Sequence, residues 1–244
     1  MVLRLHHLGI SQSERIVWLL EELGIQYELV RHIRNPILAP ESLKSVVGNG
    51  MGKAPFIEDP DAGITLSESG AICEYVMAKY AGKGKDDGII LNKKFSDEGY
   101  IDYIYWFHFA NASMQPAMMA AMFMEISSLP EDNPSRAWVN TRLHEALKHV
   151  DGRLKDNKWL AGEDFTAADV LIVFTLTTHR YFAPLLGYEK YPNIVRYLGD
   201  VGQREAYRRA MEKADPEMKL LLGTEAPEKT ITATGGVESD IWKK

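Results

Sequence analysis

Apolar residues change their spacing partway along the chain, near residue 80. Before that point, short alternating or apolar runs take turns with helical faces. Residues 2–8 read as a strand. Ile16, Leu19, Leu20 and Leu23 then recur at i, i+3, i+4 and i+7, which predicts a helix over 13–23 that Gly24 stops. Residues 27–33 read as a second strand. Pro40 opens a short predicted helix over 41–47, in a first-turn position that suits proline, and Gly48, Gly50 and Gly52 make a loop. Phe56-Ile57 and residues 64–66 read as a hairpin around Asp59-Pro60-Asp61-Ala62-Gly63. A helix over 68–80 carries Ile72, Val76 and Tyr80 along one side. The order βαβ, helix, ββ, helix predicts a parallel first pair joined by a right-handed crossover, plus an antiparallel hairpin. This is a mixed four-stranded sheet with helices on its faces, thioredoxin-like in outline.

Strand signals end after residues 81–88, Ala-Gly-Lys-Gly-Lys-Asp-Asp-Gly, a linker by composition. A long helical stretch is expected over 92–125. Leu143, Leu147, Val150 and Leu154 mark another helix, and 167–180 is apolar nearly all round, as a central buried helix would be. Shorter helices are expected over 194–201 and 205–213. Phe165-Thr166-Ala167-Ala168-Asp169-Val170 fits a capping box joined to a hydrophobic staple, a folding signal rather than a chemical one. From Gly223 the chain is polar and aperiodic, so a mobile or surface-draped tail is expected. The fold class is thus α/β plus all-α. The expected parts are a thioredoxin-like domain over 1–81, a linker over 82–91, a helical domain over 92–222 and a tail over 223–244.

Composition narrows the function without choosing it. Hydrophobic residues make up 45% and charged residues 25%, an ordinary soluble balance. A net charge of −6 argues against a general nucleic-acid binder, although a local basic patch stays open. No apolar run approaches the roughly 20 residues of a membrane span, and residues 2–7 are too short and polar for a signal-peptide core. The single cysteine, Cys73, permits no internal disulfide and fits a reducing compartment. A cytoplasmic protein is expected. His6 and His7 point to opposite faces of a strand, and His144 and His149 lack i, i+4 spacing, so no metal is expected.

Three places can carry chemistry. Pro55, if its peptide bond is cis, turns the backbone of Ala54 outward to pair with an extended ligand; an ordinary trans proline opening a strand is the alternative. Glu68 and Ser69 stand where a strand gives way to a helix. The helix N-terminus and the Ser69 hydroxyl suit a carboxylate, Glu68 suits an ammonium group, and an amino acid head satisfies both. The plain alternative is a helix cap. Ser11 lies between the first strand and first helix, where a hydroxyl can donate to a thiolate. A free thiol has a pKa of about 8.5, and lowering it by two units needs roughly 2.7 kcal/mol. One hydrogen bond to a charged acceptor supplies about 1.5–3 kcal/mol, and a helix dipole up to about 1 kcal/mol. The magnitudes suffice together, but the sequence does not rank Ser11 above Ser13, and either could be an N-cap.

Taken in order, His6-His7-Leu8, Ser11-Gln12-Ser13-Glu14-Arg15, Trp18-Leu19-Leu20-Glu21-Glu22-Leu23, Gly52-Lys53-Ala54-Pro55, Glu68-Ser69 and Phe165-Thr166-Ala167-Ala168-Asp169 resemble the cytosolic glutathione transferases, nearest the serine-type, theta-like branch of fungi and bacteria. The resemblance covers roughly residues 1–215. It implies an enzyme that conjugates the glutathione thiolate to electrophilic, apolar small molecules, with glutathione as cosubstrate and no permanently bound cofactor. It implies Ser11 as the hydroxyl donor to sulfur, Gln12 in the same pocket, and Ala54 pairing with the cysteinyl part beside cis Pro55. Glu68 and Ser69 would hold the γ-glutamyl end, with Lys53 near the glycine carboxylate. A homodimer and a role in detoxification are implied as well. Rival readings are a glutathione-dependent peroxidase at the same site and a weakly catalytic glutathione-binding regulatory module.

Two departures stand out. Gly50 occupies a position where these proteins often have proline, and Asn111 one where they often carry glutamate. Tyr103, Trp106, Phe107 and Met114 are candidate walls for the second substrate, with packing inside the helical part as the alternative; Met114, Met118 and Met122 form one stripe. Cys73 reads as a buried structural residue.

Overall fold

A computed structural model describes residues 2–80, 91–130 and 132–244. The strands are β1 (Leu3–Leu8), β2 (Tyr27–His32), β3 (Phe56–Asp59) and β4 (Ile64–Ser67), in the order β2-β1-β3-β4. β1 and β2 run parallel, with Leu5 opposite Leu29, while β3 is antiparallel to both β1 and β4. Helix α1 (Glu14–Glu22) makes the crossover, α2 (Glu41–Lys44) follows β2, and α3 (Ser69–Tyr80) follows the hairpin. This is the mixed sheet that the alternation of periods predicts. Leu43 of α2 packs with Leu8 and Ala54 in a small cluster of its own. α1 and α3 instead join the main core. The linker expected at 82–91 falls almost wholly outside the described residues.

The helical half contains α4 (Tyr100–Phe109), a π-helical turn (Ala110–Met114), α5 (Gln115–Ile126), α6 (Pro134–Asp156), α7 (Ala167–Leu176), a 3₁₀ turn (Thr178–Tyr181), α8 (Pro192–Gln203) and α9 (Glu205–Ala214). The helix expected from residue 92 begins only at Tyr100. Gly99, at φ 75°, occupies the left-handed region that glycine enters most readily, and it stands immediately before the first turn. The helix then continues to Ile126 through the π-helical turn. Pro116 lacks an N–H and would crowd the carbonyl four residues back, so a widened turn just ahead of it has a clear cause.

Every residue of α7 is buried, as its apolar circumference requires. Asp169 Oδ2 accepts from the Thr166 N–H at 2.9 Å, and Oδ1 from the Leu160 N–H at 3.0 Å and the Tyr197 hydroxyl at 3.1 Å. Phe165 packs on Trp18 and Trp159, under the Arg204 guanidinium. The two halves share one core, in which Ile16, Leu20, Ile72 and Val76 meet Met114, Met118, Val170 and Tyr207. Arg204 grips Glu22 of α1 with two bonds of 2.7 and 2.8 Å, the geometry that makes an arginine–carboxylate pair strong.

The tail is draped over the surface as one of the two expectations had it, and it is tied down. Ile231 is fully buried, its N–H donates to the Tyr181 carbonyl at 2.7 Å, and Trp242 is buried as well. The Val237 N–H donates to the Pro36 carbonyl at 3.0 Å, so the tail returns to the sheet-bearing half.

Candidate functional site

The turn from β1 into α1 brings the first candidates together. Ile10 sits at φ 52°, uncommon for a β-branched residue, so the surrounding contacts must hold it there. They do so from two sides. The Asp215 carboxylate at the end of α9 accepts from the Ile10 N–H at 3.1 Å. Arg34 donates to the carbonyls of Gly9 at 2.9 Å and Ile10 at 3.0 Å, while its guanidinium lies over Phe182. Ser11 follows. Its Oγ lies 2.7 Å from Ser13 Oγ and accepts from the Ser13 N–H at 3.2 Å. The two hydroxyls are nested: Ser13 is 0% exposed and Ser11 5%. Ser13 Oγ also meets His7 Nδ1 at 2.8 Å, and His7 Nε2 meets Asp215 Oδ2 at 3.1 Å. Ser13 does stand at the N-cap position of α1, but its side chain makes no capping bond.

Arg15, the second residue of α1, is 1% exposed. It donates to Gln12 Oε1 at 3.0 Å, Ser69 Oγ at 3.2 Å, Asn111 Oδ1 at 2.9 Å and Thr175 Oγ1 at 3.2 Å. All four acceptors are neutral, and its Nε has no partner among the described residues. Burial pushes its pKa down only to about 10, so it stays a cation at neutral pH. Asn111, presented by the π-helical turn, also donates from Nδ2 to Ser69 Oγ at 3.2 Å. The departure at Asn111 therefore has a structural meaning: a neutral amide stands against the buried guanidinium. Gln12 completes the ring by accepting from Gln115 Nε2 at 3.2 Å.

Glu68 precedes α3 at φ 73°, a left-handed conformation for a residue with a side chain, and it is exposed. Ser69 is the first residue of α3 and is buried against Arg15. The Ala54–Pro55 peptide bond is cis. Lys53 is exposed, and buried Asn49 holds its backbone at both ends, donating to the Lys53 carbonyl at 3.0 Å and accepting from its N–H at 3.3 Å.

The candidates for a second pocket lie elsewhere. Tyr103, Trp106, Phe107 and Met114 are all buried in the shared core, Met114 completely. Phe107 does approach the site, reaching the edge of Gly70 beside Ser69. Cys73 is fully buried, which pushes its thiol up to about 12 and leaves it a packing residue. A cavity of about 470 Å³ lies between Phe109, Pro116 and Trp138, away from Ser11 and Ser69.

Sequence reasoning missed Arg15, His7 and Asp215 as members of the site. Their partners lie up to 208 residues away, so no local motif reports them. An arginine four positions after a candidate serine was the one available signal.

Fold and site together define a thioredoxin-like sheet backed by a helical half, with candidate residues gathered at the starts of α1 and α3. Residues 11–79 match the glutathione S-transferase N-terminal domain and residues 111–205 the glutathione S-transferase C-terminal domain. The chain is 31% identical to Glutathione S-transferase 3 of Schizosaccharomyces pombe over 233 residues, 89% of this chain and 90% of that protein. It is 28% identical to Glutathione S-transferase 1 of Saccharomyces cerevisiae, covering 87% of this chain and 95% of that one. A crystal structure of a glutathione S-transferase from Actinobacillus pleuropneumoniae superimposes with a TM-score of 0.74 at 32% identity, over 87% of this chain and 93% of that chain. The chain belongs to the glutathione S-transferase family.

Proposed function

We propose that this protein binds glutathione across the N-termini of α1 and α3 and conjugates its thiolate to electrophilic small molecules. The observation that carries this reading is the buried Arg15 charge behind Ser69. It is satisfied only by neutral acceptors and lies next to an exposed, conformationally strained Glu68. An amino acid head supplies what both lack. Its carboxylate meets the Ser69 hydroxyl and the α3 N-terminus, with the Arg15 cation behind them, and its ammonium group meets Glu68. The backbone of Ala54 pairs with the cysteinyl residue, and Lys53 is within the reach of a flexible side chain from the glycine carboxylate.

This binding directs the sulfur to Ser11, the outer of the two nested hydroxyls. A donated hydrogen bond to the thiolate contributes about 1.5–3 kcal/mol, enough to keep an appreciable fraction ionised at neutral pH. Catalysis is then thiol activation plus proximity, and the nucleophile belongs to the cosubstrate. The reading includes a domain division near residues 82–91, a homodimer, a cytoplasmic location and a detoxifying role, all supported by the family. Among the described residues, no helix is long and apolar enough to cross a membrane.

Calorimetry and steady-state kinetics on Ser11→Ala test the reading. Turnover with an aryl halide should fall at least tenfold while glutathione affinity stays within about threefold. Unchanged turnover would remove Ser11 from the mechanism. A parallel panel with an organic hydroperoxide separates conjugation from peroxidase chemistry.

A further inference from the structure

The hydroxyl of Ser11 is the outer end of a buried chain that ends on a carboxylate of the helical half. The contacts run Ser11 Oγ–Ser13 Oγ (2.7 Å), Ser13 Oγ–His7 Nδ1 (2.8 Å) and His7 Nε2–Asp215 Oδ2 (3.1 Å). His7 and Ser13 are 0% exposed and Asp215 6%. Counting protons fixes the direction of each bond. Facing a carboxylate, His7 Nε2 carries the hydrogen, and in a neutral imidazole Nδ1 is then the acceptor. Ser13 must therefore donate to His7. Ser13 Oγ already accepts from the Leu8 N–H at 3.1 Å, and its only proton goes to His7 Nδ1 at 2.8 Å rather than to the more distant Leu8 carbonyl at 3.3 Å. The contact between the hydroxyls then needs the proton of Ser11. At rest Ser11 donates inward, and its free lone pair faces outward.

We propose that His7, positioned by Asp215, takes up the glutathione thiol proton through Ser13 and Ser11. The proposal rests on the reading of Ser11 as the hydroxyl that meets the sulfur. The thiol S–H donates to the Ser11 lone pair. Three short transfers follow together: the S–H bond breaks as a new O–H forms on Ser11, the former Ser11 proton passes to Ser13, and the former Ser13 proton passes to His7 Nδ1. The products are a thiolate and an imidazolium, with no change in total charge or proton number. Both hydroxyls have reversed, so Ser11 now donates to the thiolate. A free thiol is about a hundredfold weaker as an acid than imidazolium. The new bond to the thiolate acts against that difference, and the imidazolium forms against the Asp215 carboxylate that His7 already meets at 3.1 Å. The other titratable and charged groups near the chain are His32 on β2, which senses His7, and Glu14 on α1 and Arg34 after β2, which both sense Asp215.

This scheme differs from direct loss of the thiol proton to solvent in a quantity the wild-type protein reports. Reduced glutathione is mixed with the protein near neutral pH in weak buffer. Thiolate is read by its ultraviolet absorbance and proton release by an indicator dye. Thiolate should form with no matching proton release, and one proton released per thiolate would overturn the proposal. His7→Asn, whose amide can accept from Ser13 but cannot hold a proton, should cut the thiolate fraction about tenfold. Binding of S-methylglutathione, which has no thiol proton, should stay within about twofold. Asp215→Asn should shift the thiolate in the same direction. An unchanged thiolate in a folded His7→Asn also overturns the relay. Should Ser11→Ala leave the thiolate fraction as it was, the reading of Ser11 itself fails; a loss in Ser11→Ala with none in His7→Asn removes only the relay. If His7→Asn does not fold, the wild-type proton count decides alone.

Discussion

Two buried polar networks flank the first turn of α1, and they are built on opposite plans. On one side Arg15 is a fixed cation ringed by neutral acceptors from the turn before α1, α3, the π-helical turn and α7. On the other, Ser11, Ser13, His7 and Asp215 form a line in which the Ser11–Ser13 and Ser13–His7 bonds can run either way according to where one proton sits, while His7 Nε2 donates to Asp215 throughout. The first network can hold charge and cannot move it, because an arginine keeps its proton. The second can move a proton and offers no free cation to a ligand. On the reading proposed above, the difference separates binding from activation: the γ-glutamyl end would go to the side with a standing charge, and the sulfur to the side whose hydrogen bonds reverse.

Breaking the Arg15 side has the largest expected effect. Arg15→Ala strands Ser69, Asn111 and Thr175 around a cavity, so stability should fall by about 3–5 kcal/mol in denaturant titration. Calorimetry on whatever remains folded should show glutathione affinity reduced at least a hundredfold.

Next in size is a pH effect on the other side. Burial holds the Glu14 carboxyl up to about 8, against an ordinary value of 4.5, beside the Thr178 hydroxyl and near Asp215. Between these values the folded protein binds a proton that the unfolded chain has released, so stability falls as pH rises from about 4.5 to about 8. The drop should be on the order of a few kcal/mol. Glu14→Gln should flatten that slope in melts recorded across the range.

Ser11→Ala comes third. It should lower turnover about 10- to 100-fold with little effect on melting temperature or glutathione affinity, the reverse of the Arg15 pattern. Glu68→Gln is the mildest. It keeps the backbone turn and removes one charged contact, so affinity should fall about tenfold with turnover at saturation nearly unchanged. A Glu68 variant that lost turnover instead would erase the division between the two sides.

How far the sequence foretold this arrangement depends on the range of each interaction. β1, α1, the hairpin and α7 follow from local periodicity, and the Thr166–Asp169 cap lies within four residues. The expected helix start at residue 92 was too early: residues 92–99 carry Phe95 as their one apolar residue, and Gly99 at positive φ stands just before the first turn of α4. The tail carries no periodic face, yet Ile231 and Trp242 both join the main core, which a periodicity argument cannot see. Within the site, Ser11, Pro55, Glu68 and Ser69 sit in short motifs at element boundaries. Arg15 stood in the Ser11–Arg15 motif without a role of its own, because its acceptors Ser69, Asn111 and Thr175 come from distant parts of the chain. His7 looked like a strand histidine, although its partner Asp215 arrives from the far end of α9. Asn111 was noticed only as a departure, and its contact with Arg15 gives that departure its meaning.

The most direct measurement is a crystal structure of the protein with reduced glutathione bound. It should show sulfur within hydrogen-bond reach of Ser11 Oγ, the γ-glutamyl carboxylate on Ser69 with Arg15 behind it, and the γ-glutamyl ammonium on Glu68. Glutathione bound in the opposite orientation, or with its sulfur out of reach of Ser11, would contradict the account.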